Sequence, residues 1–324
     1  MKIADNEYQV VEVYDLSVTV PDSFVTNDNK TCKGHGEAKF YMGSKEHMRE
    51  FYTGNPLSDG FEVTCIVLRE DLLQYMQTIK HEYLHPSITY RGQRKRSNMS
   101  RLWHQRNVML HGLPDVMEFQ ISDQKQIEGS RGYVKSISGK KDCAYEIIRN
   151  IALPFVSYVS VMKLQQEETG KIYFYWRLFT DFSQMAEQQF MAKNYGKRKA
   201  MKSRRSRDGQ EKYRQGLYTE FRHCPFSKID DARLLVASHI KPWAVCNREE
   251  KVDVSNGFLL SPLFDKLFDK GLITFGDDGN LIISEWLSSV NQNRIDFTDD
   301  TNDLLLTPKR KAYLKFHREN VFKS

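Results

Sequence analysis

Residues 233–275 read RLLVASHIKPWAVCNREEKVDVSNGFLLSPLFDKLFDKGLITF, and this stretch carries the strongest local pattern of the chain. A first apolar run ends at His239, and after a polar connection Asn256 opens a second apolar run. A short amphipathic segment then carries Asp265 and Asp269 before a glycine, a residue that commonly ends helices. The pattern predicts a strand, a loop, a second strand and a helix, with one histidine and two carboxylates at the joints.

The overall composition is that of a folded, soluble protein. At 324 residues the chain is long for one core and favours two domains, and its 40% hydrophobic and 12% aromatic residues argue against disorder. The first residues, MKIADNEYQVVEVYDL, lack the apolar stretch of a signal peptide, and no segment approaches the roughly 20 apolar residues of a membrane span. We therefore expect a cytoplasmic protein with no membrane partner.

The five cysteines are odd in number and widely spaced, and none forms a Cys-x-x-Cys pair. A disulfide framework or a structural zinc site is therefore not expected. Cys224 and Cys246 flank the central motif and could be metal ligands, but small buried hydrophobic residues are the favoured interpretation.

Positive charge is concentrated immediately before the central motif. Residues 190–223 contain eleven lysines and arginines against three acidic residues, a local charge of +8 in a chain whose net charge is +6. Such a segment is typical of a surface that binds phosphates. The change to polar, basic composition after residue 190 also predicts the domain boundary, with a mixed α/β domain at 1–190 and a second domain at 191–324.

A second basic stretch lies at residues 85–107, which read HPSITYRGQRKRSNMSRLWHQRN. We predict a loop here. A solvated loop and a loop that contacts DNA are equally supported, because cations, aromatic rings and guanidinium groups all serve in contacts to phosphates and bases.

The residue types of the central stretch suit phosphodiester hydrolysis, which needs a base for water, a cation near the phosphate and correct positioning. His239 can accept a proton near neutral pH. Asp265 and Asp269 are four residues apart, so on a helix they share one face, and their oxygens suit Mg²⁺ or Mn²⁺. Asn256 can hold a loop through backbone hydrogen bonds. Each residue alone fits a structural role better, but the combination favours a catalytic site.

The segments LLVASHIKPW, NGFLLSP and FDKGLITF resemble the HNH endonuclease family, the ββα-metal nucleases, and in particular the branch found at the C-terminus of restriction endonucleases. The similarity extends from about residue 207 through the tail at 306–322. The resemblance implies an α+β protein, with a DNA-recognition domain at 1–190 and an HNH nuclease domain at 191–324 whose motif core spans 224–275.

The resemblance also implies roles for the motif residues. His239 would be the general base and Asn256 a structural brace, while Asp265 would bind the metal ion, with Asp269 as a further ligand. Ser238 occupies the position of a metal-binding Asp or His in many members and is kept as part of the candidate metal site. One Mg²⁺ or Mn²⁺ would stabilise the departing 3′-oxygen, and no structural zinc is expected.

Candidate DNA contacts share a positive charge and lie in the two basic stretches or beside the motif: Arg91, Arg94, Lys95, Arg96, Arg101, Arg205, Arg207, Lys241 and Lys270. For the last four, a solvated surface role is at least equally supported.

The leading hypothesis is a restriction endonuclease that cuts double-stranded DNA as a homodimer, at a short unmodified sequence or at a modified base. Two alternatives stay open. One is a DNA-binding protein whose HNH fold has lost catalysis, which Ser238 favours. The other is an anti-phage effector nuclease whose N-terminal domain senses a small ligand.

Overall fold

The computed structural model describes residues 1–14, 16–33, 36–94, 98–123, 131–137, 143–194, 212–297 and 304–324. The chain divides into two compact units, Met1–Gln184 and Met185–Ser324. The division falls a few residues before the boundary that composition predicts at residue 190. Both units combine helices with strands, which confirms the predicted α+β class. In the described ranges no helix is both long enough and apolar enough to span a membrane.

The first unit is built on one mixed sheet. Within the described residues its nine strands are β1 (Lys2–Ile3), β2 (Asn6–Val13), β3 (Val18–Thr19), β4 (Lys39–Tyr41), β5 (Glu62–Leu68), β6 (Val116–Asp123), β7 (Arg131–Lys135), β8 (Ser157–Gln166) and β9 (Ile172–Thr180). Their order is β1-β2-β8-β9-β5-β6-β7-β4, and β3 also pairs with β8. β5 and β9 pair in parallel, and the other described pairs are antiparallel.

Helices cover both faces of this sheet. Successive side chains of β9 point to opposite faces and contact different helices. The ring of Phe174 packs against Phe51 and Tyr52, whereas the neighbouring Tyr175 hydroxyl donates a hydrogen bond to Asp71 on another helix. The helices of this part of the chain are α1 (Lys45–Thr53), α2 (Arg69–Thr78), α3 (Lys80–Leu84), α4 (Met99–Leu110), α5 (Cys143–Ile151) and α6 (Phe182–Asn194).

The prediction of a loop across residues 85–107 is wrong from Met99 onward, where the chain forms α4. The Asn98 side chain caps this helix by accepting a hydrogen bond from the Arg101 amide at 2.8 Å. The pattern was hidden because Arg106 lies on the buried face, where an apolar residue would have shown the helical period. The Arg106 guanidinium can be buried because it donates hydrogen bonds to Asn29 and Tyr83, which are distant from it in the sequence.

The second unit contains the predicted sequence of strand, loop, strand and helix. A helix whose described part covers 212–220 is α7. It is followed by β10 (Val236–His239), β11 (Gly257–Leu260), α8 (Pro262–Asp269), β12 (Ile273–Phe275), β13 (Leu281–Ile283), α9 (Ser289–Arg294) and α10 (Pro308–Asn320). β10 and β11 form an antiparallel pair, and α8 follows β11 after a single residue, Ser261. This ββα arrangement confirms the prediction from residues 233–275.

The glycine after α8 ends the helix for a specific reason. Gly271 has φ +65°, and a Cβ atom there would lie 2.0 Å from the Val321 carbonyl oxygen. Only glycine therefore allows the chain to turn here under the end of α10. The turn fixes where α8 stops and brings β12 against the core of the unit.

Candidate functional site

The hairpin of β10 and β11 places His239 at the end of a strand, directly opposite Gly257. Ser238 precedes it and pairs with Phe258, one of the fully buried rings of the core. Residues 240–256 connect the two strands and fold back beside His239. The hairpin therefore holds the backbone of His239 rigidly, while the connecting loop supplies the partners of its side chain.

The imidazole of His239 is oriented by one hydrogen bond and one ring contact. Its Nε2 lies 3.1 Å from the Lys251 carbonyl oxygen, which can only accept, so Nε2 carries the proton and Nδ1 keeps a lone pair. The ring stacks on Tyr213 with centroids 4.3 Å apart and planes 18° apart. Burial lowers the pKa of His239 below its ordinary value. At neutral pH the side chain is thus an uncharged base with one nitrogen available.

Tyr213 links the two strands behind His239. Its hydroxyl lies 3.1 Å from the carbonyl oxygens of both Ser238 and Asn256, and the side chain is buried. A Cβ atom on Gly257 would lie 2.0 Å from this hydroxyl, so the close approach requires glycine. Tyr213 is not among the residues that the sequence predicts for the site. The paired Asn256-Gly257 was the available signal that another group approaches the backbone there.

Asn256 is fully buried and joins three points of the connecting loop. Its Oδ1 accepts a hydrogen bond from the Lys241 amide at 2.8 Å. Its Nδ2 donates to the Glu250 carbonyl oxygen at 3.0 Å and contacts the Cys246 sulfur at 3.3 Å. Because the Glu250 carbonyl is next in the chain to Lys251, the amide of Asn256 also fixes the carbonyl that orients His239.

Asp265 lies on α8, half-buried and close to Ser238. Burial raises the pKa of its carboxyl, and the Ser238 hydroxyl partly opposes that shift. The hydroxyl is itself buried and does not reach any partner with the geometry of a hydrogen bond. A carboxylate and an unsatisfied hydroxyl oxygen therefore face one another, and both are oxygen donors of the type that Mg²⁺ and Mn²⁺ prefer.

Asp269 lies one helical turn after Asp265 and is exposed, at the last residue of α8. Within the described ranges, no three His, Cys, Asp or Glu side chains converge as a set that could hold a metal ion. The residues present fit an ion that takes one or two carboxylates from the protein and completes its shell with water and substrate oxygens, as Mg²⁺ commonly does.

Residues 224–276 match the HNH endonuclease family. The matched segment contains the hairpin, its connecting loop, α8 and β12. No curated protein matches the chain. The HNH match supports nuclease activity on DNA, and HNH nucleases typically use a divalent metal ion.

Two of the predicted DNA contacts lie within the HNH segment. The Lys241 ammonium is held 2.7 and 2.8 Å from the two carboxylate oxygens of Glu250, so its charge is balanced inside the connecting loop. Lys270 caps the C-terminus of α8 and is half-buried. The structure therefore gives Lys241 a role in stabilising the connecting loop.

The other predicted contacts lie outside the HNH segment. Arg91 is half-buried and donates to the Asn27 side chain at 3.3 Å, and Arg101 is exposed on α4. Arg94 ends a short 3₁₀ turn at Arg91–Arg94, but its side chain is outside the described part of the chain. Four further candidates lie outside the described residues: Lys95, Arg96, Arg205 and Arg207.

Cys224 and Cys246 are buried free thiols. Burial raises the pKa of Cys246 to about 11, which keeps it protonated at neutral pH. Its sulfur contacts Asn256 and the Lys241 carbonyl oxygen. Both cysteines pack in the interior of the unit, as expected for small buried hydrophobic residues.

Proposed function

We propose that the chain is a restriction-type DNA endonuclease in which His239 is the general base. The observation that carries the proposal is the orientation of His239 within the matched HNH segment. A carbonyl fixes the proton on Nε2 and leaves Nδ1 able to accept one. This is the protonation state that activation of a water molecule requires.

The chain's own residues divide the work as follows. His239 takes a proton from the attacking water at Nδ1, while the Lys251 carbonyl accepts the hydrogen bond from Nε2–H and stabilises the imidazolium that forms. Asn256 and Tyr213 hold the backbone on either side of His239. The lowered pKa of His239 keeps the base uncharged at neutral pH.

Asp265, with Ser238 and Asp269 beside it, is where we propose that one Mg²⁺ or Mn²⁺ binds. When bound, the ion supplies positive charge to the scissile phosphate and the departing 3′-oxygen. Asp265 must be ionised to bind it, and the burial that raises the pKa of this carboxyl also increases its electrostatic attraction for a cation.

We assign target recognition to the first unit and DNA contact to its basic residues, together with the basic segment before α7. Two cuts in a duplex need two nuclease centres, and we therefore propose a homodimer. The target is either a short unmodified sequence or a site with a modified base. We also propose that the protein acts in the cytoplasm.

Plasmid and phage DNAs of known modification provide the test. Wild type should cut at least one of them with Mg²⁺ or Mn²⁺ and none in EDTA. His239→Ala should lower the rate by roughly 100- to 10,000-fold, the usual contribution of a general base. Gln9→Ala, at an exposed residue of β2 in the first unit, is the control and should leave the rate unchanged.

Ser238 favours a second candidate, a DNA-binding protein without catalysis, because a serine stands where many family members have a charged ligand. Binding of DNA by wild type and His239→Ala, with no cutting of any substrate in either metal, would support that candidate. The same result would reject the nuclease.

A further inference from the structure

One face of α4, outside the HNH segment, is exposed. The residues at positions 101, 104, 105, 108 and 109 recur at helical spacing and all are exposed, with Val108 at 58% and Met109 at 45%. Within the described part of the chain, the side chains of Arg101, His104 and Gln105 have no hydrogen-bond partner. The face thus offers three unused polar groups beside two apolar ones.

The opposite face of α4 is fixed in place. Arg106 donates to Asn29 at 2.7 Å and to the Tyr83 hydroxyl at 2.9 Å, and Trp103 donates to the Met76 carbonyl oxygen at 2.7 Å. Three apolar residues of α4 are also buried, namely Met99, Leu102 and Leu110. These anchors hold the exposed face rigidly, so little conformational entropy would be lost when it binds a partner.

The charge around this face is complementary to a polyanion. Residues 83–114 contain six lysines and arginines and no aspartate or glutamate. Of the six, Arg106 is buried, Arg91 and Arg94 belong to the short turn before α4, and Arg101 is on its first turn, whereas Lys95 and Arg96 lie outside the described residues. The N-terminal end of α4 is therefore the electropositive end of the helix as well as the end flanked by cations.

We propose that the exposed face of α4 lies in the major groove of duplex DNA and reads its base pairs; this rests on the proposed function and names the reading surface. An α-helix fits the width of the major groove. Arginine suits guanine and glutamine suits adenine through paired hydrogen bonds, while apolar groups contact the thymine methyl. Arg101, His104 and Gln105 contact base edges, and Val108 and Met109 meet thymine methyl groups or sugars. Arg91, on the turn before α4, contacts a phosphate.

Selection of DNA from random duplex libraries tests the proposal without requiring cleavage. The full chain carrying His239→Ala is the parent protein. The libraries contain ordinary cytosine, 5-methylcytosine or 5-hydroxymethylcytosine, and a duplex RNA library is run beside them. Gln105→Ala and His104→Ala are compared with Gln9→Ala, which removes an exposed glutamine from β2 of the same unit.

The parent and Gln9→Ala should enrich the same DNA sequence. Each α4 variant should lose preference at one or two adjacent base pairs by roughly 5- to 100-fold. The proposal is overturned if both α4 variants enrich the parent's sequence unchanged, or if no DNA library is enriched. Preference for the RNA duplex would also overturn it, since its narrow major groove does not admit a helix.

Cleavage by wild type is scored separately, which distinguishes the two proposals. If the chain selects DNA through α4 but cuts no substrate, the proposal for α4 is supported and the proposed nuclease activity is rejected. If the chain cuts plasmid DNA but enriches no sequence, the nuclease proposal is supported and the proposal for α4 is rejected.

Discussion

At the scale of single residues, His239 is defined by what surrounds its two nitrogens. The Lys251 carbonyl oxygen accepts a hydrogen bond from Nε2–H, and burial disfavours a positive charge on the ring. Sequence reasoning selected His239 by its position at the end of an apolar run, but the tautomer comes from a carbonyl twelve residues away.

The lowered pKa of His239 leads to a prediction for the pH dependence of cleavage. The proposed general base works only when neutral, so kcat/KM should fall as pH decreases through the pKa of His239 in the free enzyme. Because that pKa is depressed, the fall should be centred below the ordinary value near 6.5. Rates on a plasmid substrate from pH 5 to 8, with saturating Mg²⁺, measure it. An acidic limb centred at 6.5 or above would contradict the assignment.

Tyr213→Phe should slow cleavage by roughly 10- to 100-fold, because a small displacement of a catalytic group is costly. The variant keeps the ring that stacks on His239 but loses both hydrogen bonds to the strand carbonyls. Because Tyr213 is buried, kcat should fall while KM stays unchanged. Tyr218→Phe is the control on the same helix, and its hydroxyl bonds to the Ala232 carbonyl away from His239. An unchanged kcat would show that the hydroxyl does not position His239.

At the scale of elements, α10 locks the ββα motif through Arg310. This arginine is 1% exposed. It donates to Glu220 on α7 at 2.5 Å and to the Leu305 and Val254 carbonyl oxygens at 2.6 and 3.2 Å. Its guanidinium also lies over the ring of Phe258, 5.7 Å from the centroid. A single side chain therefore joins α7, α10, the connecting loop and the second strand of the hairpin.

Arg310→Met should destabilise the second unit by about 1 to 3 kcal/mol, the usual cost of leaving buried hydrogen-bonding groups without their partner, because Glu220 itself is exposed. Methionine fills part of the volume but leaves the two carbonyls unsatisfied. Thermal unfolding of the full chain measures the loss, with Lys311→Met, at the next and less buried position of α10, as control. Equal melting temperatures for the two variants would show that Arg310 does not stabilise the second unit.

α10 also contains His317, a buried histidine that differs from His239 in the hydrogen-bond partners of its two nitrogens. Its ring stacks on Phe268 at 3.8 Å, and both nitrogens have partners, Thr274 and the Phe268 carbonyl oxygen. Burial lowers its pKa to about 3. With both nitrogens occupied it has no lone pair to offer water, whereas His239 keeps one.

At the scale of the whole molecule, charge is distributed unevenly along the chain. The net charge is +6, but residues 190–223 alone carry +8, and a second basic stretch, 83–114, contains no acidic residue and includes α4. Binding to DNA without sequence preference should therefore depend steeply on salt, since each neutralised phosphate releases counterions.

Replacing Arg204, Arg205 and Arg207 with glutamine should reduce the slope of log Kd against log salt concentration by up to about 2.7, or 0.9 for each lost phosphate contact. Fluorescence anisotropy with a short duplex measures the slope. The control replaces three exposed lysines of the first unit, Lys2, Lys33 and Lys171, with glutamine, so the two triple variants have the same net charge. Equal slopes for the two triple variants would show that the basic segment does not contact DNA.

The sequence by itself determined the ββα order, the glycine that ends α8, the α+β class and the HNH resemblance. Each of these depends on local patterns, namely apolar runs, turn residues and spacing along a few dozen residues. It also proposed His239, Asn256 and Asp265 as candidate site residues, because their spacing is visible without a fold.

Only the tertiary structure decided which groups complete the site. Tyr213 and the Lys251 carbonyl meet His239 through contacts between segments far apart in the chain, and Arg310 reaches α7 across 90 positions. α4 was missed for the same reason, since a buried arginine has no apolar signature and its partners, Asn29 and Tyr83, come from elsewhere. Burial and hydrogen bonding depend on three-dimensional neighbours, and local sequence patterns do not contain them.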